Sequence, residues 1–159
     1  FALYLDASPE APATLEPAAL AAIGADLGDS DINALVEAVS AGRPDIADQQ
    51  MARLSEANIP GIVMLRGIAR RFWLLLELRL AVEGGLSPQS AVDGARPPVF
   101  WKAKPAITSQ LGRTRVPQIR NALDRLLGAE REIKTSASAG DVLARQAILG
   151  IATLMAPKR

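Results

Sequence analysis

The chain contains neither cysteine nor histidine in its 159 residues. Without cysteine, neither a disulfide framework nor a thiolate metal site is available. Without histidine, the chain lacks the usual metal ligand and the usual general base. Aromatic residues are also scarce, at 4% of the sequence. These absences argue against catalysis by this chain, and we predict no catalytic residues, no metal site and no cofactor.

Long uncharged hydrophobic runs are missing as well. The most apolar stretch, Ile59 to Val82, is interrupted by four arginines and one glutamate. Its longest uncharged run near the centre, Phe72 to Leu76, is far too short to span a bilayer. The first residues carry neither the basic region nor the cleavage site of a secretory signal, and we interpret them as the interior of a longer protein. We therefore expect a cytoplasmic protein with no membrane contact.

Apolar residues suited to a helical core are abundant. They make up 49% of the chain, and alanine and leucine dominate over the β-branched residues that favour strands. They recur at the three- and four-residue spacings of amphipathic helices. We predict helices over about 15–23, 32–41, 44–57, 60–83, 116–134 and 141–154, with short helical segments after Ser87 and Pro105. The fold class is an all-α helical bundle.

The same spacings predict which side chains face the core. In the longest helix we expect these to be Ile62, Leu65, Ile68, Ala69, Phe72, Leu75, Leu76 and Leu80. In the next long helix they are Val116, Ile119, Leu123, Leu126, Leu127 and Ile133. In the last helix they are Val142, Leu143, Ile148, Leu149 and Ile151.

One window of the sequence is strongly basic. The 25 residues from Arg96 to Arg120 hold six basic side chains and no acidic one, while the rest of the chain has 12 basic against 17 acidic residues. The window also holds an adjacent pair of aromatic residues. Positive charge beside aromatic rings suits single-stranded nucleic acid. We predict nucleic-acid contacts from Arg96, Phe100, Trp101, Lys102, Lys104, Arg113 and Arg115.

The aromatic pair also has a purely structural interpretation, as a plug in the helical bundle. Pro97 and Pro98 exclude helix and favour an extended approach to Phe100 and Trp101. Adjacent side chains of an extended backbone point to opposite sides. We therefore expect one ring to be in the core and the other to face outward; which ring does so is left open.

Charged residues on the long helices allow two interpretations. Arginines 66, 70 and 71 either pair with acidic neighbours or contact a partner or phosphate. Glu130 and Lys134 have the spacing of a local ion pair, yet Glu130 lies where the apolar stripe should continue, which is typical of an interface. We predict subunit contacts from Glu130, Lys134, Arg70 and Arg71. Carboxylates such as Asp45, Asp48 and Glu56 lack metal-binding spacing and are expected to be solvated.

Four segments carry a resemblance to a known family. They are Arg66–Phe72 (RGIARRF), Gly85–Ala91 (GLSPQSA), Arg96–Lys104 (RPPVFWKAK) and Ala129–Lys134 (AEREIK). In this order they resemble the motifs LLRALxRxF, GLSPEEA, RPPVFFKRK and AExxLK of the bacterial DNA polymerase III delta subunit, a clamp-loader component. The resemblance covers about residues 30–159. Two departures are Ala103, at a commonly basic position, and Gly112-Arg113-Thr114, in place of a basic-basic-Trp stretch.

The resemblance implies a division into two parts, with residues 1–28 ending an AAA+ lid domain and residues 29–159 forming a helical collar domain. It implies a non-catalytic role in assembling the clamp loader with the delta-prime and gamma/tau subunits. Contact with primed or single-stranded DNA is also implied, whereas the sliding clamp would be bound only by an N-terminal part that is missing here. The alternatives are a stand-alone nucleic-acid-binding helical module and, less favoured because histidine and cysteine are lacking, a helical-bundle enzyme.

Overall fold

A computed structural model describes residues 32–135 and 140–157. These residues form seven helical segments and no strand, so the predicted all-α bundle is confirmed. The helix predicted at residues 15–23 lies outside the described residues. The segments are α1 (residues 32–40), α2 (Pro44–Glu56), α3 (Gly61–Glu83), α4 (Pro88–Asp93), α5 (Lys104–Arg113), α6 (Val116–Thr135) and α7 (Gly140–Met155).

Local sequence explains where several helices begin. Pro44, Pro88 and Pro105 each occupy the first turn of their helix, where the missing N–H costs no hydrogen bond. Ser87 caps α4, because its Oγ accepts a hydrogen bond of 3.0 Å from the Ser90 N–H. The short helical segment predicted after Ser87 is therefore confirmed.

Helix α3 is the central element of the bundle. It contacts α4, α5, α6 and α7, and its residues Leu65, Ile68, Phe72 and Leu75 are fully buried. Helices α6 and α7 pack against each other and against α3, and α7 also packs against α2. The core therefore lies around α3, and Ala47, Met51 and Leu54 of α2 and Ile107 and Leu111 of α5 are buried in it.

The first turns of α3 and α7 are joined directly. The Gly61 N–H donates a hydrogen bond of 3.0 Å to Oδ1 of Asp141, which satisfies one of the donors left free at a helix start. Gly61 also lies so close to Ala144 that an added Cβ would be 2.5 Å from the Ala144 Cβ. The two residues of the hydrogen bond are 80 positions apart, so this contact fixes α7 on α3.

The turn between α1 and α2 requires glycine. Gly42 has φ +69°, a left-handed conformation that side chains with a Cβ disfavour. A Cβ at Gly42 would also collide with the backbone of Met155 and Ala156. Gly42 is therefore both the turn residue after α1 and a contact point with the C-terminal end of α7.

Three of the predicted inward side chains are exposed instead. Leu80, Leu127 and Val142 have exposed fractions of 46%, 40% and 70%, whereas Leu78 is buried. Helix α3 is apolar on more than one face, so spacing alone does not identify the face that meets its neighbours. In α6, Ala122 and Ala129 complete the buried stripe in place of Leu127, and in α7 the buried stripe begins only at Ala144.

Candidate nucleic-acid and subunit interface

The segment between α4 and α5 is held by two buried side chains. Ala95 and Val99 are 7% and 9% exposed, and they flank Arg96, Pro97 and Pro98, where the Arg96–Pro97 peptide bond is cis. The two prolines exclude helix from this stretch. The anchors therefore fix an irregular loop whose next residues lead away from the core.

Phe100 and Trp101 are both exposed, at 62% and 68%. The expectation that one ring would pack in the core is wrong. The backbone turns here instead of remaining extended, because the Ala103 N–H donates to the Phe100 carbonyl at 2.9 Å, and Val99 takes the buried position. The ring centroids of Phe100 and Trp101 are 6.0 Å apart, with their planes inclined by 53°. The loop thus presents two tilted aromatic rings to its surroundings.

The two lysines of this loop differ in their contacts. Lys102 Nζ lies 5.3 Å from the centroid of the Trp101 ring, a cation–π distance. Lys104 Nζ lies 2.7 Å from Asp93 Oδ1 and joins the start of α5 to the end of α4. Hydrogen bonds from Gln89 and Lys104 lower the pKa of Asp93 below its ordinary value. The Lys104 charge is therefore balanced within the chain, and Lys102 is the lysine that accompanies the rings.

The other predicted DNA-contacting residues divide into two groups. Arg96 lines the same groove of about 1120 Å³ as Phe100 and Lys102. Arg113 and Arg115 line a separate hollow beside the C-terminal end of α7. Helix α5, which lies between the groups, has 10 residues and is about 15 Å long. The basic window of the sequence therefore does not form one continuous site.

Arg71 belongs to an internal network. Its Nη2 lies 2.7 Å from Glu37 Oε1, and its side chain is only 11% exposed. Gln110 accepts a hydrogen bond of 3.5 Å from Arg71 and donates one of 3.3 Å to Glu37. The three side chains link α3, α1 and α5. Arg70, the next residue toward the start of α3, is exposed.

Glu130 is the centre of a second charged cluster. Its Oε1 lies 3.0 Å from Lys134 Nζ and 3.1 Å from Arg66 Nη2. Hydrogen bonds from Lys134 and Arg66 lower the pKa of Glu130 below its ordinary value. The local Glu130–Lys134 pair is confirmed, and Arg66 has an acidic neighbour. The four residues predicted as a subunit interface therefore do not form one cluster: Arg71 is tied to α1 and α5, and Glu130 and Lys134 are tied to Arg66.

Sequence reasoning missed the exposed apolar side of α3. Trp73 and Leu80 are 54% and 46% exposed, and together with Leu76 they line the groove bordered by Arg96 and Phe100. Their spacing of three and four residues was the available signal. It was hidden by the adjacent stripe that contains Phe72 and Leu75.

Within residues 32–135 and 140–157, no group of three or more acidic side chains is placed to hold a metal ion. In that part of the chain, no helix combines the length and the apolar character needed to cross a membrane. Comparisons with protein-family models, with curated proteins and with solved structures found no match.

Proposed function

We propose that this chain is an assembly module of a bacterial clamp loader, corresponding to the collar part of a delta-type subunit in the cytoplasm. The observation that carries the proposal is the set of four segments whose order and sequence resemble that family, with Arg96–Lys104 as the most specific. The all-α bundle is consistent with a helical collar. In this role the module brings subunits together and performs no catalysis, which accords with a sequence that lacks histidine and cysteine.

Co-purification tests the assembly role. The full chain is mixed with the delta-prime and gamma/tau subunits and analysed by size-exclusion chromatography. We expect the chain to elute with these subunits as a larger complex. If it elutes at its own position in every mixture, and does so also as part of the full-length protein, the proposal is wrong.

A second candidate function is contact with single-stranded DNA, and the outward position of both aromatic rings favours it. Phe100 and Trp101 offer two exposed faces, and Lys102 adds a cation beside one of them. Stacking of a base on such a ring contributes about 1–3 kcal/mol. This contact accompanies the assembly role, or it is the function of a stand-alone nucleic-acid-binding module.

Binding of a labelled oligothymidylate to the whole chain tests this second function. We expect Trp101→Ala to weaken binding about tenfold, and Phe100→Ala and Lys102→Glu to weaken it as well. Arg131→Glu is the matched control, because Arg131 is an exposed cation on α6 and its replacement changes the net charge equally. Weakening by Arg131→Glu equal to that by Lys102→Glu, or affinity independent of salt concentration, would exclude a specific DNA contact.

A further inference from the structure

Helix α3 carries a second apolar stripe that the described part of the chain leaves largely uncovered. Trp73 and Leu80 are 54% and 46% exposed, and Leu76 between them is partly buried. Positions separated by three and four residues lie on one helix face. The adjacent side of α3 packs into the core through residues such as Phe72 and Leu75. An apolar side of this kind on a central helix is typical of an interaction site.

The stripe forms one wall of a groove, and the loop before α5 forms the other. Pro97, Pro98 and Phe100 line that second wall, with Ala106 and Ile107 of α5 beside them. The groove has a volume of about 1120 Å³ and is open to solvent, whereas small-molecule sites are clefts or cavities that bury most of their ligand. Its size and its exposed aromatic walls suit a helix better than a small ligand.

The polar rim of the groove is positive. Arg43, Arg96 and Lys102 line it, and none of them forms an ion pair with an acidic residue among the residues described. Arg71 and Glu37 also line it but neutralise each other at 2.7 Å. Among the described residues of the lining, Glu77 is the remaining carboxylate. Three cations against one carboxylate favour an acidic occupant.

We propose that this groove binds an amphipathic helix of another subunit, in which acidic side chains flank an apolar stripe. An apolar helix face laid into a groove through anchors three, four and seven residues apart is a common mode of recognition. Trp73 to Leu80 spans about 10 Å of helix, so the partner contributes at least two turns. The inference rests on the proposed assembly role for the identity of the partner, and it places the contact on the groove rather than on the cluster around Glu130.

Two designed helical peptides serve as probes. They share one leucine stripe, and the residues flanking it are glutamate in one peptide and lysine in the other. Fluorescence anisotropy measures their binding to the full chain. We expect the glutamate peptide to bind at least about tenfold more tightly than the lysine peptide, because the rim cations attract it. Increasing salt concentration should reduce this preference.

Substitutions in the groove locate the binding site. Leu80→Glu should weaken binding of the glutamate peptide at least about tenfold, since it places a carboxylate in the apolar wall. Arg43→Glu should weaken it about threefold or more. Leu127→Glu is the matched control, because Leu127 is a 40% exposed leucine on α6 that does not line the groove. Circular dichroism checks that each variant is folded.

Several results would overturn the proposal. Equal binding of the two peptides, or unchanged binding by Leu80→Glu, removes the basis for an acidic helix in this groove. If a peptide of residues 1–31 displaced the glutamate peptide, the groove would be a binding site for the chain's own first residues. Dimerisation that Leu80→Glu abolishes would assign it to a second copy. Displacement of the glutamate peptide by oligothymidylate would assign it to nucleic acid.

Different results would contradict the groove proposal and the assembly role. If the chain does not co-purify with clamp-loader subunits but still selects the glutamate peptide, the assembly role is wrong and the groove proposal stands. If Leu80→Glu co-purifies normally and neither peptide binds, the assembly role stands and the groove proposal is wrong.

Discussion

Glu130 and Arg66 join the two longest helices of the structure. Glu130 Oε1 on α6 lies 3.1 Å from Arg66 Nη2 on α3, and Lys134 Nζ lies 3.0 Å from the same oxygen. The Glu130 side chain is 22% exposed, but those of Arg66 and Lys134 are both 59% exposed, so water screens these ion pairs. One carboxylate oxygen thus pairs with two cations at a point where α3 and α6 meet.

Replacing this carboxylate should have a pH-dependent effect. Hydrogen bonds from Lys134 and Arg66 lower the pKa of folded Glu130, so folding favours its charged form. The resulting stabilisation is complete above the unfolded pKa, near about 4.3, and is lost as the pH falls through the folded pKa. At pH 7, Glu130→Gln should lower the free energy of unfolding by up to about 1 kcal/mol. Urea denaturation at pH 7 and at acidic pH measures this.

The matched control for that measurement is Glu132→Gln. Glu132 is an exposed glutamate two residues further along α6, and its change should have little effect at either pH. If the free energies of unfolding of Glu130→Gln and the unmodified chain differed by the same amount at every pH, the stabilisation would not come from the charged form of Glu130.

Removing Glu37 should cost more than removing an exposed acid. The Arg71 side chain is 11% exposed and would lose its carboxylate partner at 2.7 Å. We expect Glu37→Ala to lower the free energy of unfolding by about 1–3 kcal/mol, the cost of a buried polar group left unpaired. Glu37→Gln keeps an acceptor oxygen and should cost less. Chemical denaturation measures these free energies, and Asp124→Ala is the exposed control. If all three variants lost the same free energy of unfolding, the Glu37–Arg71–Gln110 network would not stabilise the fold.

Two residues of the loop before α5 should contribute very differently to stability. Val99 is 9% exposed and anchors the loop, whereas Trp101 is 68% exposed. We expect Val99→Ala to lower the free energy of unfolding by about 1–3 kcal/mol and Trp101→Ala to change it by less than about 0.5 kcal/mol. Thermal unfolding followed by circular dichroism measures both. A loss in Trp101→Ala as large as that in Val99→Ala would mean that the indole ring is packed rather than presented.

Alanine at two glycines should have opposite effects. Gly42 has φ +69° and touches the backbone of Met155 and Ala156, so Gly42→Ala should destabilise the fold by more than about 1 kcal/mol. Gly128 lies within α6 with open space where an added methyl group would lie, and Gly128→Ala should stabilise the fold by about 0.5–1 kcal/mol. Differential scanning calorimetry compares the two variants. Two melting temperatures that moved in the same direction would contradict this explanation.

The helical fold could be predicted from the sequence because its signals are local. Apolar residues at helical spacing, and Pro88 after Ser87, each specify a short stretch of chain by themselves. The orientation of α3 could not be predicted in this way. Its two apolar stripes are offset by one residue, at Phe72 and Trp73 for example, and only the placement of the other helices decides which stripe is buried.

The candidate site was predictable in composition but not in geometry. The charge window and the aromatic pair identify the loop before α5, yet both rings are exposed because a turn at Phe100 replaces the expected extended backbone. The partners of Arg66 and Arg71 are Glu130 and Glu37. These pairs depend on tertiary contacts between residues far apart in the chain, which no local pattern contains.

The hydrogen bond from Gly61 to Asp141 has a consequence for protein synthesis. Helix α3 leaves the ribosome well before α7, so its first-turn N–H and the surface beside Gly61 have no partner within the nascent chain until residues 140–155 follow. Packing of α7 against α2, α3 and α6 is therefore a late event. A ribosome stalled before residue 140 would hold a chain whose central helix is still open to chaperones.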